Sequence, residues 1–390
     1  MQPLPAGREA GPGDGVPGYQ RHRPERTLLY QLVDQYYPAF VGLMAAQGRP
    51  LPEYVQREFE DYLKCGRLEH GFLRVRCTSC HQEQLVAFSC KRRGFCPSCG
   101  ARRMAESAAL LVDDILPEAP VRQWVLSFPY ALRFLFATRP AVMGRVLGIV
   151  YRTLATHQIR KAGHTQRCAR TGAVTLIQRF GSALNLNIHF HMLLLDGVYV
   201  GVRDSRGQPR FQRVKVPDRA ELEQLVYAIS ERTGRYLERQ GLLVRDLDNS
   251  YLALEPQDDT GLEGVLGSSI TYRIAVGPHE GRKAFCLQSL PPAGSLEDSN
   301  PRVARVAGFS LHAGVAAARH ERRKLERLCR YITRPAIAEP RLSLTTSGNV
   351  RYQLKTPYRD GTTHVIFEPL DFMARLAALV PRPRVNLTRY

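Results

Sequence analysis

No stretch of this sequence reaches the roughly 18 uninterrupted apolar residues that a membrane-crossing helix needs. The richest run, 141–150, is broken by Arg145. The N-terminus also lacks the apolar core of a secretory leader: residues 1–26 are a mixture of Pro, Gly and Arg with little to bury, and read as a disordered tail. Internal repeats are missing as well. Acidic residues are scarce, 36 Asp+Glu against 55 Lys+Arg, which leaves a formal net charge of +19 and a pI near 9.8. These shortages argue against a membrane span, export and a repeat array. They point to a cytoplasmic protein with polyanionic partners, nucleic acid foremost. In a reducing compartment the nine cysteines read as metal ligands or free thiols rather than disulfides.

The chain of 390 residues is 44% hydrophobic, enough to bury the cores of two domains. Leu29, Leu32, Val33 and Tyr36 recur at helical spacing. A cysteine-dense segment follows, then a helix over 101–116 that ends before Pro117, with 117–120 as the joint between domains. Beyond it, strand-like segments alternate with helices. Residues 173–180 and 185–195 read as strands, 197–216 as a hairpin turning at Asp204-Ser205-Arg206-Gly207, and 268–275 and 283–290 as a further strand pair. Asp218 followed by Glu221 signals a capping box for a helix carrying Leu222, Leu225, Val226 and Ile229. A long helix is expected over 313–333, because Pro335 disfavours helical geometry at Arg334. Strands at 350–355 and 363–367 flank a turn at Arg359-Asp360-Gly361, and a last helix spans 372–379. The fold class is α+β, divided into a tail (1–26), a small helical domain containing a zinc ribbon (27–118) and a larger domain (119–390).

Cys77 and Cys80 form one C-x2-C pair and Cys96 and Cys99 another. Two such tight turns, each aiming two thiolates at one point, complete the tetrahedral shell of a structural zinc ion. Cys65, His70 and Cys90 are candidates for further ligands, with His81 the nearest fourth partner. Around the cluster Arg92, Arg93, Arg102 and Arg103 offer a phosphate-contacting surface.

The segment Asn185-Leu-Asn-Ile-His-Phe-His-Met alternates strictly. Leu186, Ile188, Phe190 and Met192 fall on one face of a strand, and Asn187, His189 and His191 on the other. Two imidazoles side by side reach one divalent cation, and the apolar face holds them rigid. On the helix that follows, Leu325, Leu328, Cys329 and Ile332 make the buried stripe, while Lys324, Arg327 and Tyr331 share a neighbouring face. A tyrosine nucleophile needs its phenolate favoured and a phosphate held nearby, and the two cations serve both ends.

Together these features resemble the HUH single-strand endonucleases, most closely the rolling-circle insertion-sequence transposases of the insertion-sequence ninety-one group and its common-region relatives. The resemblance is carried by Ser89-Cys-Lys-Arg-Arg-Gly-Phe-Cys-Pro-Ser-Cys-Gly-Ala-Arg-Arg, by Gln178-Arg-Phe-Gly-Ser-Ala-Leu-Asn-Leu-Asn-Ile-His-Phe-His, and by Leu325-Glu-Arg-Leu-Cys-Arg-Tyr-Ile-Thr-Arg-Pro. It implies a bacterial transposase with a zinc-binding domain ahead of a nuclease domain, the latter a central antiparallel sheet with helices packed on it. It further implies that His189, His191 and a third polar residue hold Mg2+ or Mn2+ while Tyr331 attacks single-stranded DNA at the element ends, leaving a 5′-phosphotyrosine. Gln178 is the first choice for the third ligand and Asn187 the second. Relatives with two catalytic tyrosines space them one helical turn apart. Here those positions are Arg327 and Pro335, so a single-tyrosine mechanism is expected. Relatives also continue past the position of Tyr390, so a C-terminal truncation is expected. The alternatives are a zinc-containing DNA-binding protein without catalysis, a metal-free tyrosine recombinase leaving a 3′ link, and a plasmid-mobilising relaxase, which the zinc module sets apart.

Overall fold

The computed structural model describes residues 23–203, 209–245, 250–253, 261–291 and 301–390. The expected tail, except for a single 3-10 turn at Pro24–Arg26, and the hairpin turn from Asp204 to Gly207 lie outside the described residues.

The N-terminal part opens with α1 (Leu28–Ala46), capped by Thr27, whose hydroxyl accepts the Tyr30 N–H. Its Leu29, Val33 and Phe40 are fully buried, in one core with Val55 and Phe59 of α2 (Glu53–Lys64). An antiparallel hairpin of β1 (Phe72–Arg76) and β2 (Glu83–Ala87) projects next, with Phe72, Leu73, Val75 and Leu85 all exposed. Then α3 (Pro97–Leu110) starts with Pro97 in its first turn and runs on through one π turn, Leu111–Ile115.

From there β3 (Val121–Ser127), α4 (Tyr130–Thr138), α5 (Pro140–Lys161), the short β4 (Ala169–Arg170), β5 (Ala173–Phe180) and β6 (Leu186–Leu195) follow. The expected hairpin is β7 (Gly197–Arg203) with β8 (Pro209–Arg213). Next comes α6 (Arg219–Arg239), and its capping box is present: the Asp218 carboxylate accepts the Glu221 N–H and the Glu221 carboxylate the Asp218 N–H, each at 2.9 Å. The chain continues through β9 (Leu243–Arg245), β10 (Ser250–Leu252), α7 (Leu262–Ile270), β11 (Phe285–Gln288), β12 (Val303–Val306), β13 (Phe309–Ala317) and α8 (Arg322–Thr333). It closes with β14 (Leu342–Leu344), β15 (Val350–Gln353), β16 (Thr362–Phe367), α9 (Pro369–Leu379) and β17 (Thr388–Arg389).

The central sheet has the order β12-β13-β3-β6-β5-β17, and every neighbouring pair is antiparallel. Its two faces bury different cores. Ile188, Phe190 and Met192 belong to the large core shared with α4, α5, α7 and α9, while Val174, Leu176, Leu193 and Leu195 pack with Leu325, Leu328, Cys329 and Ile332 of α8. Among the described residues no helix is long and apolar enough to cross a membrane.

Two expected elements differ. Residues 268–270 are the end of α7, an isolated antiparallel bridge between Arg273 and Lys283 is what remains of the expected pair, and the strand partner of β11 is β16. The helix expected over 313–333 is split: Ala316 and Ala317 pair with Arg122 and Val121 in the sheet, and helix begins only at Arg322. The Ala-rich run has good helix propensity, but packing against the sheet overrides it.

Arg122 on β3 holds the sheet's register at this end. Its guanidinium makes two 2.8 Å bonds to Asp196 at the end of β6 and donates to the Ala313 carbonyl at 2.9 Å, with both charged side chains under 5% exposed. Asp196→Ala strands a buried cation, so chemical denaturation is expected to show a loss of about 3–5 kcal/mol. A loss under ~1 kcal/mol would show that water reaches the pair.

Candidate active site

Along the α8-facing side of β6, apolar Leu195 and Leu193 give way to His191, His189 and Asn187, so the strand leaves the core and enters a cleft. Gln178 on β5 stands directly opposite His189, and Gln123 on β3 is a diagonal neighbour of His191. His189 Nε2 and His191 Nε2 meet at 3.0 Å. His189 Nδ1 lies 2.8 Å from the Asn187 carbonyl, to which it donates, leaving Nε2 with its lone pair. His191 Nδ1 lies 2.7 Å from the Gln123 side-chain amide. Burial pushes His189 down to about 4; burial, and then the neighbouring His189, push His191 down to about 2. Both rings are therefore neutral near pH 7, the form that ligates a metal.

Tyr331, 40% exposed, stands over this pair, its ring perpendicular to His191 with centroids 6.3 Å apart. The cations that meet it are not the two expected. Lys324 is bound to Glu321 at 3.1 Å, and Arg327 is exposed. Instead Arg334 Cζ lies 4.2 Å from the Tyr331 ring centroid, and Lys355 Nζ 4.4 Å. Arg334 is steered there by donating to the Tyr331 carbonyl at 2.6 Å, and its Cζ also lies 5.3 Å from the Phe180 ring centroid. The cleft has a volume near 430 Å³, and Arg334, Arg341 and Lys355 are its charged lining residues among those described. Arg334 lay in the Tyr-Ile-Thr-Arg-Pro motif as an unread signal. Gln123 and Lys355 carried none, since each arrives from a distant segment.

The third-ligand candidates differ in how their polar atoms are used. Gln178 donates to the Ile332 carbonyl at 3.2 Å and accepts from Arg334 at 3.4 Å. Asn187 Oδ1, also lining the cleft, is buried with no hydrogen-bond partner among the described residues.

The thiols are grouped differently from the expected C-x2-C…C-x2-C site. Cys65, at the end of α2, and Cys90, on the loop after β2, join Cys96 and Cys99 at the start of α3, and their four sulfurs lie within 4.8 Å of one another. Cys90–Cys99, Cys65–Cys99 and Cys96–Cys65 sulfur distances are 3.5, 3.7 and 3.8 Å. A tetrahedron with about 2.3 Å metal–sulfur bonds has edges of roughly 3.8 Å, close to these three distances, so the donor set fits zinc. Hydrogen bonds from the neighbouring thiols hold Cys99 and Cys65 low, and the same neighbours push Cys90 and Cys96 up.

Cys77 and Cys80 stand apart from this cluster, exposed beyond Arg76 and Glu83, the last pair of the hairpin. Five residues of strand set them roughly 17 Å from the hairpin's base, where Cys65 and Cys90 sit on either side. The sequence spacing was correct for a zinc pair, but the hairpin between the pairs carries one of them away. His70 is exposed on a 3-10 turn and is not in the cluster.

Of the expected DNA-contacting arginines, Arg92 is bonded to Asp61 at 2.7 Å, Arg93 to the Val385 carbonyl at 2.5 Å and Arg103 to the Lys91 and Arg92 carbonyls at 3.1 Å, while Arg102 is exposed.

Two family models match: "Transposase zinc-binding domain" over residues 32–128 and "Putative transposase" over residues 172–390, more than half of the chain. The chain belongs to the IS91-type transposases. The first match covers the four-thiol cluster, which is thus the transposase's zinc site, and the second covers His189, His191 and Tyr331. A transposase processes DNA, in keeping with the charge of +19. No curated protein and no solved structure matches the chain.

Proposed function

We infer that this transposase nicks and rejoins single-stranded DNA at element ends through a covalent tyrosine intermediate. The observation that carries the reading is the meeting of two neutral, buried histidine Nε2 atoms 3.0 Å apart beneath a half-exposed tyrosine in a cationic cleft. Two such nitrogens with the buried Asn187 Oδ1 nearby, which has no hydrogen-bond partner among the described residues, make a donor set suited to Mg2+ or Mn2+. When bound there, the ion supplies a Lewis acid for a phosphoryl oxygen.

The rest falls to the chain's own residues. Arg334, Arg341 and Lys355 draw the DNA phosphate into the cleft and offset its charge. The Tyr331 oxygen attacks phosphorus as its proton leaves; the P–O3′ bond breaks, and the departing oxygen takes up a proton to become a free 3′-OH. The phosphodiester energy is kept in the 5′-phosphotyrosine bond, and attack by a 3′-OH on that bond releases Tyr331 and rejoins the strand. One tyrosine serves, because Arg327 and Pro335 occupy the adjacent turns.

Gln123 orients His191. Its amide meets Nδ1 as a donor or, flipped, as an acceptor, and only the latter leaves Nε2 free to ligate. The test is a labelled single-stranded element-end oligonucleotide, incubated with and without Mg2+ or Mn2+ and run under denaturing conditions. A protein–DNA adduct is expected only with metal. An adduct that forms without metal favours a recombinase; DNA binding without any adduct favours a non-catalytic binder. In the same assay Gln123→Leu is expected to raise the metal concentration for half-maximal adduct by about 10–100-fold. Asn187→Ala is expected to raise it more than Gln178→Ala, because Asn187 has the spare oxygen. An unchanged metal requirement in Gln123→Leu would remove the orienting role.

A further inference from the structure

A second cavity, near 420 Å³, lies beside the active-site cleft, and the two share Gln178, Phe180, Arg334 and Ala336 as a common wall. Its other walls come from two distant parts of the chain. The zinc-held loop and the first turns of α3 bring Arg92, Arg93 and Arg103, and the end of β5 and the segment after α8 bring Arg179 and Arg334. No Asp or Glu lines it among the described residues. Arg179 is anchored, its Nε and Nη2 donating to the carbonyls of Ala378, Leu379 and Val380 at the end of α9, so it contributes charge to a fixed wall. Arg93 and Arg103 each keep donors beyond the carbonyls they hold. The Phe180 ring, Pro335 and Leu387 add apolar surface.

Cationic donors beside an aromatic and apolar wall are the combination that holds one nucleotide of a single strand, its phosphate on the arginines and its base against the rings. A docked peptide or acidic metabolite would not account for the wall shared with the cleft. We propose that this cavity takes the nucleotide next to the scissile phosphate and reads its base, so that the zinc-binding domain forms half of the substrate site. The inference rests on the nuclease reading above. The four thiols then act at a distance: by fixing loop 90–96 against the start of α3 they set where Arg93 stands relative to Arg334.

The probe is a labelled single-stranded 20-mer of random sequence. Adduct-bound DNA is sequenced for the wild type, for Ser107→Trp, which fills the cavity from α3, and for Arg103→Gln. Zinc content and unfolding midpoint are first shown equal to wild type for at least one variant. Wild type is expected to capture DNA with a base preference at the nucleotide beside the cleaved bond. The variants are expected to capture at least ten-fold less and to lose the preference at that nucleotide alone. Unchanged capture overturns the proposal, and so does reduced capture with that preference intact. If the wild type captures nothing, the nuclease reading fails, and binding of the same 20-mer decides: ten-fold weaker binding by the variants keeps a nucleotide site, and equal binding removes it.

Discussion

Tyr331→Phe is expected to abolish the covalent DNA adduct, lowering its yield on the order of 10³-fold or more, while single-stranded DNA still binds with nearly wild-type affinity. The substitution removes one oxygen and leaves the ring. The ring makes the contacts with His191, Arg334 and Lys355, and its 40% exposure means that the hydroxyl is not part of the core. Stability should therefore change by less than about 1 kcal/mol. Binding survives because the arginines and lysine of the cleft act on the phosphate, not through the tyrosine oxygen. The two readouts separate the possible roles. A structural tyrosine would lower the unfolding midpoint together with the adduct. A DNA-stacking tyrosine would lower binding on replacement by Ala but tolerate Phe, whose ring stacks as well. Only a nucleophile loses the adduct alone. An adduct that persists in Tyr331→Phe would move the chemistry to another residue and sink the assignment.

The parts of this site that are legible in the sequence are local. Strict alternation around His189 and His191 is a property of consecutive residues, and a strand with one apolar face turns it directly into two imidazoles on one side. The stripe Leu325, Leu328, Cys329, Ile332 is equally local, and those are the buried residues of α8. What escapes the sequence is set by chain segments far apart. Gln123 reaches His191 across 68 positions, Arg334 finds Tyr331 only because the helix ends between them, and Lys355 comes from the loop after β15. The same holds for the split of the expected 313–333 helix, where strand pairing with β3 outweighs local propensity. Cysteine spacing misleads for a related reason. A C-x2-C pair says that two sulfurs point together, but which other pair they meet depends on the length and direction of the intervening hairpin.

That hairpin makes the second large expectation asymmetric. Cys65→Ser and Cys96→Ser should each lose the bound zinc, while Cys77→Ser and Cys80→Ser should keep it, by metal analysis of the purified variants. Structural zinc contributes about 10–16 kcal/mol of apparent binding energy in small zinc domains. Here it joins the end of α2, the loop carrying Cys90 and the start of α3, and Cys65, Cys96 and Cys99 are buried. Its loss should leave three unligated thiols, two of them buried, at a broken junction, lower the melting temperature by more than about 10 °C and release loop 90–96. The consequence reaches past stability. Arg93, held by the Val385 carbonyl, ties that loop to the C-terminal segment beside β5, so single-stranded DNA binding should fall with the zinc even though His189, His191 and Tyr331 are untouched. If Cys77→Ser loses the ion and Cys65→Ser keeps it, the hairpin folds back on α3 in solution and the C-x2-C pairing holds after all. If both lose it, the two thiol groups belong to one folding unit, and the zinc count per wild-type chain decides between one shared ion and two.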